Sequence, residues 1–147
     1  MNMSMITVVI IVFILLESSN VAVLYFFPDS KKANSVGIFK AWEKSKNDPE
    51  IHRFVKYLVN WIAGSKLIFL LLLIVILLTG DKQTQIVTGI AMSISIASFF
   101  WRLFPLIRSM DQDSQIDPKN YSATLAWMIG AFVLIFVVTV ILSSGLL

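Results

Sequence analysis

Four long apolar runs alternate with polar segments along the chain: about 5–27, 55–79, 84–107 and 122–146. Each is close to the roughly 20 residues that a helix needs to cross about 30 Å of hydrocarbon. The pattern predicts an all-α membrane protein. Residues 1–147 form one integral membrane domain, a bundle of four transmembrane helices. No basic residue precedes the first run and no small-residue cleavage site follows it, so it reads as a retained span.

The polar segments refine this picture. Between the first two spans, Val36, Phe39 and Trp42 recur at intervals of three among Lys40, Glu43, Lys44 and Lys46. That spacing predicts a short interfacial amphipathic helix lying on the headgroup layer. Asp48-Pro49 is a helix-start signal, the aspartate capping and the proline filling the first turn. Asp117-Pro118 repeats the device before the fourth span. Gly80-Asp81-Lys82-Gln83 leaves room only for a tight hairpin, so the second and third spans are expected to be adjacent and antiparallel. Arg102 and Pro105 fall where the third helix is expected to kink or stop.

Composition narrows the chemistry. Hydrophobic residues make up 57% of the chain, and the mean hydropathy is +0.82. A soluble domain's apolar share is about 45–50%. Cysteine is absent, which excludes disulfides and thiolate metal sites, and one histidine excludes a multi-histidine site within one subunit. No glycine-rich phosphate loop and no nucleophile elbow is present. Neither a cofactor nor a nucleic-acid partner is expected. The net charge of +3 reads instead as a topology signal. Lys31, Lys32, Lys40, Lys44, Lys46, Arg53, Lys56, Arg108 and Lys119 lie on the side of the two long loops, about 28–54 and 108–121, with Arg102 at its edge. Only Lys82 lies on the side of the termini. The positive-inside rule then makes the long loops cytoplasmic and both termini non-cytoplasmic.

Against this background Glu17 stands out, because an ionised side chain deep in hydrocarbon costs a few kcal/mol. Lys66 in the second span is the one cation at a similar depth. Each lies about 18 Å from the same membrane face if the two helices are antiparallel. Asn20 shares a helical face with Glu17, and Lys66 shares one with Ala63 and Val59. On the third span Thr84, Thr88, Ala91, Ser95, Ser98 and Arg102 form a small and polar stripe. The expectation is a polar intramembrane site of Glu17, Lys66, Asn20, Ser95 and Ser98. Asn60, Arg102, Lys40 and Lys44 would serve as a cytoplasmic-side gate or as headgroup contacts. The bland alternative treats the stripe as close helix packing, for which Gly89-x3-Ser93-x3-Ala97 and Ala126-x3-Gly130 are suited. It treats the charged pair as a structural salt bridge.

Two smaller features read as structural. Asp111, Asp113 and Asp117 are spaced like the front of a calcium loop, but the glycine and glutamate such a loop requires are missing. His52 reads as an ordinary interface residue.

A central glutamate in the first of four short spans is similar to the small multidrug resistance exporters. The likeness covers only Glu17 and the span count. The long basic first loop departs from it, as does Lys66, which would neutralise the glutamate those exporters need for cationic cargo. The arginine- and glutamate-rich helix signatures of the four-span MAPEG enzymes are absent, and neither family is assigned.

Three functions are compatible with these residues. The leading expectation is a small oligomeric channel or transporter for an ion or small polar solute. The second is a non-transporting accessory or assembly subunit. The third is a membrane-embedded lipid-modifying enzyme using Glu17 as acid or base. The expected partners are the bilayer, anionic headgroups, and further copies or a membrane subunit.

Overall fold

A computed structural model describes residues 4–31 and 34–145. Lys32 and Leu146, which entered the charge count and the fourth span, lie outside the described residues.

Helix α1 is Met5–Phe26, opened by Ser4, whose hydroxyl accepts from Thr7 N, and closed just before Pro28. A 3-10 turn, Val36–Ile38, and a short helix α2, Lys40–Ser45, follow. Helix α3, Pro49–Thr79, starts as expected: Asp48 accepts from Glu50 N and Ile51 N, and Pro49 fills the first turn. Asp81 caps α4, Lys82–Ala97, and α5, Phe99–Gln112, continues the same span. Helix α6 is Tyr121–Ser144. Four segments are long and apolar enough to cross a membrane: α1, α3, α4 with α5, and α6.

Among the described residues α1 is the central helix. Its strongest partner is α3, and it also meets α6 and α4, while α4 packs chiefly on α6. Helix α3 therefore lies on one side of α1, and the α4–α6 pair on the other. The second and third spans are joined by a tight turn as expected, yet touch each other little. The reason is side-chain size. Val59, Ala63, Leu70 and Leu73 fit α3 to α1, whereas Gly89 and Ser93 let α4 lie close to α6 and α1. A Cβ on Gly89 would sit 2.8 Å from Ile6 Cδ1 and 2.9 Å from Val140 Cγ2. Gly89→Val should therefore overpack this contact and lower stability by about 1–3 kcal/mol in a denaturant titration. An unchanged midpoint would mean that the helices do not approach so closely. The core around it joins Ile6, Ile10, Phe13, Ile14, Leu70, Leu73, Met92 and Phe136, with Phe13 edge-on to Phe69, Phe132 and Phe136.

At the other end of the bundle the two long loops clasp each other. Phe39 and Ile116 form an isolated antiparallel bridge. Lys40 N donates to Gln115 O and Asp117 N to Ile38 O, each at 2.9 Å. Lys31 pairs with Asp117 at 2.8 Å. Ile38, Ile107, Ile116 and Leu125 are buried beneath this clasp. Gly37 is required there, because a Cβ would collide with the backbone carbonyls of Asp29 and Ser30.

Four expectations change. The helical segment at 34–46 is broken at Phe39, whose backbone pairs with the second loop. Its apolar side also faces protein: Trp42 is buried with Leu24, Val59 and Ala63. The helix of the third span runs through Pro105 to Gln112, and its interruption falls at Ser98. There the Ser98 hydroxyl donates to Ser95 O. Finally, Asp117-Pro118 does not cap the fourth span. Asn120, at φ 64°, precedes α6, and Asp111 of α5 supplies the cap, accepting from Asn120 N, Ser122 N and Ser122 Oγ. Asp117 is instead engaged by Lys31.

Three exposed tryptophans share one height along the bundle. Trp61, Trp101 and Trp127 are 61%, 79% and 82% exposed. Counted along their helices, they stand about 27, 28 and 26 Å from the ends nearest the termini. Amphipathic rings gather at membrane–water interfaces, and this common height matches one hydrocarbon thickness of about 30 Å. The clasped loops, α2 and the first turns of α3 rise above that level.

Candidate functional site

On α1, Phe13, Glu17, Asn20, Val21 and Leu24 share one face, and on α3 the strip Val59, Ala63, Lys66, Leu70 and Leu73 opposes it. The apolar members of the two strips bring the helices together. That contact delivers the two charges to each other. Lys66 Nζ lies 2.6 Å from Glu17 Oε2 and 2.8 Å from Asn20 Oδ1. Asn20 is buried, and its Nδ2 donates to the backbone oxygen of Asn34 at 3.2 Å. Asn34 Oδ1 in turn accepts from Tyr121 Oη at 3.1 Å. A continuous polar chain thus runs from the charged pair up into the clasped loops and across to α6. The pair sits about 8 Å below the tryptophan level, in the loop-side half of the span. Each of its side chains remains 29% exposed.

The structure brings Glu17, Lys66 and Asn20 together and leaves the other expected site residues apart. Ser95 and Ser98 are exposed, and their helix packs on α6 while Lys66 faces α1. The stripe from Thr84 to Arg102 mostly faces outward because Gln85, Ile86, Gly89, Met92 and Ser93 form the packed face of α4. Asn60 lies on the outer side of α3, in a shallow groove with Trp61 and Gly64. Arg102 is exposed beside Trp101, and Lys40 and Lys44 are exposed above. These four do not converge.

Several contacts were hidden from pattern reading. Asn34 and Tyr121 extend the polar chain. Trp42 Nε1 donates to Asp29 Oδ1 at 2.6 Å, and Lys46 Nζ reaches the same oxygen at 2.6 Å. His52 is not a lone ring: Nδ1 lies 2.9 Å from Ser45 Oγ and the imidazole rests against Trp42. All depend on how the loops fold back, which no periodicity encodes.

The Lys46 ammonium and then the Trp42 indole hold the Asp29 carboxyl below its ordinary value of 3.8. A carboxylate whose folded pKa is depressed stabilises the fold above the unfolded pKa, and that contribution is lost as pH falls through the folded value. The indole N–H resonance of Trp42 should therefore shift as the pH is lowered, with a midpoint below 3.8. A midpoint at or above 3.8 would contradict the contact.

Compared with family profiles, curated proteins and solved structures, the chain matches none.

Proposed function

We propose that this chain is a non-transporting membrane subunit, a compact scaffold whose cytoplasmic face is the clasped, basic loop layer. The observation that carries the reading is that the intramembrane charges are satisfied within one chain. Lys66 is shared between Glu17 and Asn20, and Asn20 ties both to the loop through Asn34. Such a network locks α1 to α3 and sets the loop above them. A pair in this condition offers neither a free carboxylate for a cation nor a base for lipid chemistry.

The test is flux. Purified protein in liposomes, challenged with a panel of cations, anions and protons, should stay at the level of empty vesicles, and Glu17→Gln should change nothing. A flux in the parent that falls with Glu17→Gln would overturn the reading in favour of an oligomeric channel or transporter. One observation favours that second reading. The pair is open on one side, and the outward stripe of Thr84, Ser95 and Ser98 offers hydroxyls to another copy.

The loop layer is assigned to the cytoplasm and both termini to the other side, on the excess of lysine and arginine in the loops. The chain has no cysteine, so single replacements report without background. In intact cells an impermeant maleimide should label Gln83→Cys and spare Asn47→Cys. The reverse pattern would invert the assignment.

A further inference from the structure

Between the end of α5 and the start of α6 lies a cavity of about 420 Å³, whose lining includes Arg108, Gln112, Ser114 and Lys119. Among the described residues neither Arg108 nor Lys119 is in a salt bridge. The one acid in the lining, Asp111, is already engaged. Its two oxygens accept from Asn120 N, Ser122 N and Ser122 Oγ at 3.1, 2.9 and 2.7 Å. The site is left with two unpaired cations and one carboxylate committed to capping, a net positive charge.

The height of the cavity says which anion it meets. Arg108 is seven residues beyond Trp101, about 10 Å above it, and Ala123 on the opposite wall is four residues before Trp127, about 6 Å above it. Headgroup layers occupy roughly 5–8 Å outside the hydrocarbon, so the cavity opens at the level of lipid phosphates. Trp101 shares the helical face of Arg108, and Trp127 that of Ala123. The chain's two most exposed tryptophans therefore stand beneath the two walls, where acyl chains would run.

We infer that this cavity binds the phosphate of an anionic phospholipid. Arg108 and Lys119 neutralise the headgroup, Ser114 and Gln112 supply hydrogen bonds, and Trp101 and Trp127 flank the acyl chains. The site recognises a phosphate presented from the membrane plane without a neighbouring choline cation, which Arg108 and Lys119 would repel, and it fixes the bundle's second basic loop to the cytoplasmic leaflet.

Tryptophan quenching in vesicles of brominated lipid tests this. In the full chain, brominated phosphatidylglycerol should quench in strong preference to brominated phosphatidylcholine. Arg108→Gln and Lys119→Gln should each lower that preference by about fivefold, the worth of one surface cation near anionic lipid. Lys119→Arg should keep it, and Lys82→Gln, on the other side of the membrane, should leave it unchanged. Persistent quenching by phosphatidylcholine shows that each variant is still inserted. Millimolar inorganic phosphate without effect identifies the lipid as the source. If phosphate abolishes the preference, the same residues bind a soluble phosphate instead, and the lipid assignment is overturned. Equal preference in parent and in both glutamine variants would overturn the site itself.

Discussion

Lys66→Met should destabilise the protein by about 3–5 kcal/mol, the cost of stranding one member of a desolvated ion pair. Glu17 would lose its cation, and Asn20 Oδ1 its donor, in the same step. Reversible unfolding in mixed detergent micelles should show the midpoint falling to a much lower denaturant fraction. The chain of contacts predicts where the damage spreads. Asn20 would release Asn34, so hydrogen exchange should quicken in the loop around Asn34 and at Tyr121 before it does so around Phe136. A Lys66→Met protein with an unchanged midpoint would mean that Glu17 does not rely on the ammonium.

Asp111→Ala should lower stability by about 2–3 kcal/mol, because hydrogen bonds to a charged acceptor are worth more than neutral ones. Three donors at the start of α6 converge on this one carboxylate. Asn120 itself offers no side-chain cap. Amide exchange in the first turn of α6, residues 121–125, should accelerate strongly, while exchange in α1 stays close to that of the parent. Asp111→Asn keeps one acceptor oxygen and should lose less. Equal exchange in parent and Asp111→Ala would show that the helix starts without this cap.

These two sites differ in how far the sequence revealed them. The membrane-spanning architecture was legible because hydrocarbon demands long apolar runs, and nothing in tertiary packing overrides that demand. Glu17 and Lys66 were legible as a pair for the same reason, since a charge at that depth needs an explanation, and equal spacing from the helix ends put both at one level. Asn20 followed from helical periodicity. Ser95 and Ser98 were misplaced because periodicity assigns residues to a face without saying what the face meets. Gly89 and Ser93, on the other side of α4, offered the closer fit to its neighbours, and the hydroxyl stripe was left outward. Asp111 was passed over in favour of Asp117-Pro118, a local signal. The actual cap reaches back from the preceding helix across a loop whose course depends on the antiparallel bridge between Phe39 and Ile116. Trp42 was expected to lie on lipid and instead covers Leu24 and Ala63, because Asp29 satisfies its indole nitrogen and lets the ring be buried.

One contact joins the membrane-embedded charges, the bridge between α1 and α3. Its most direct test compares Glu17→Leu, Lys66→Leu and the double variant Glu17→Leu/Lys66→Leu by unfolding in micelles. Glu17→Leu leaves Lys66 a cation with only the neutral Asn20 as partner, and Lys66→Leu leaves Glu17 without its cation, whereas the double change removes the charges together. The prediction is strong non-additivity: the singles each lose several kcal/mol, and the double loses less than either, keeping only the cost of Asn20 Oδ1 without its donor, about 1–3 kcal/mol. Losses that simply add would show that the two side chains do not meet within the membrane.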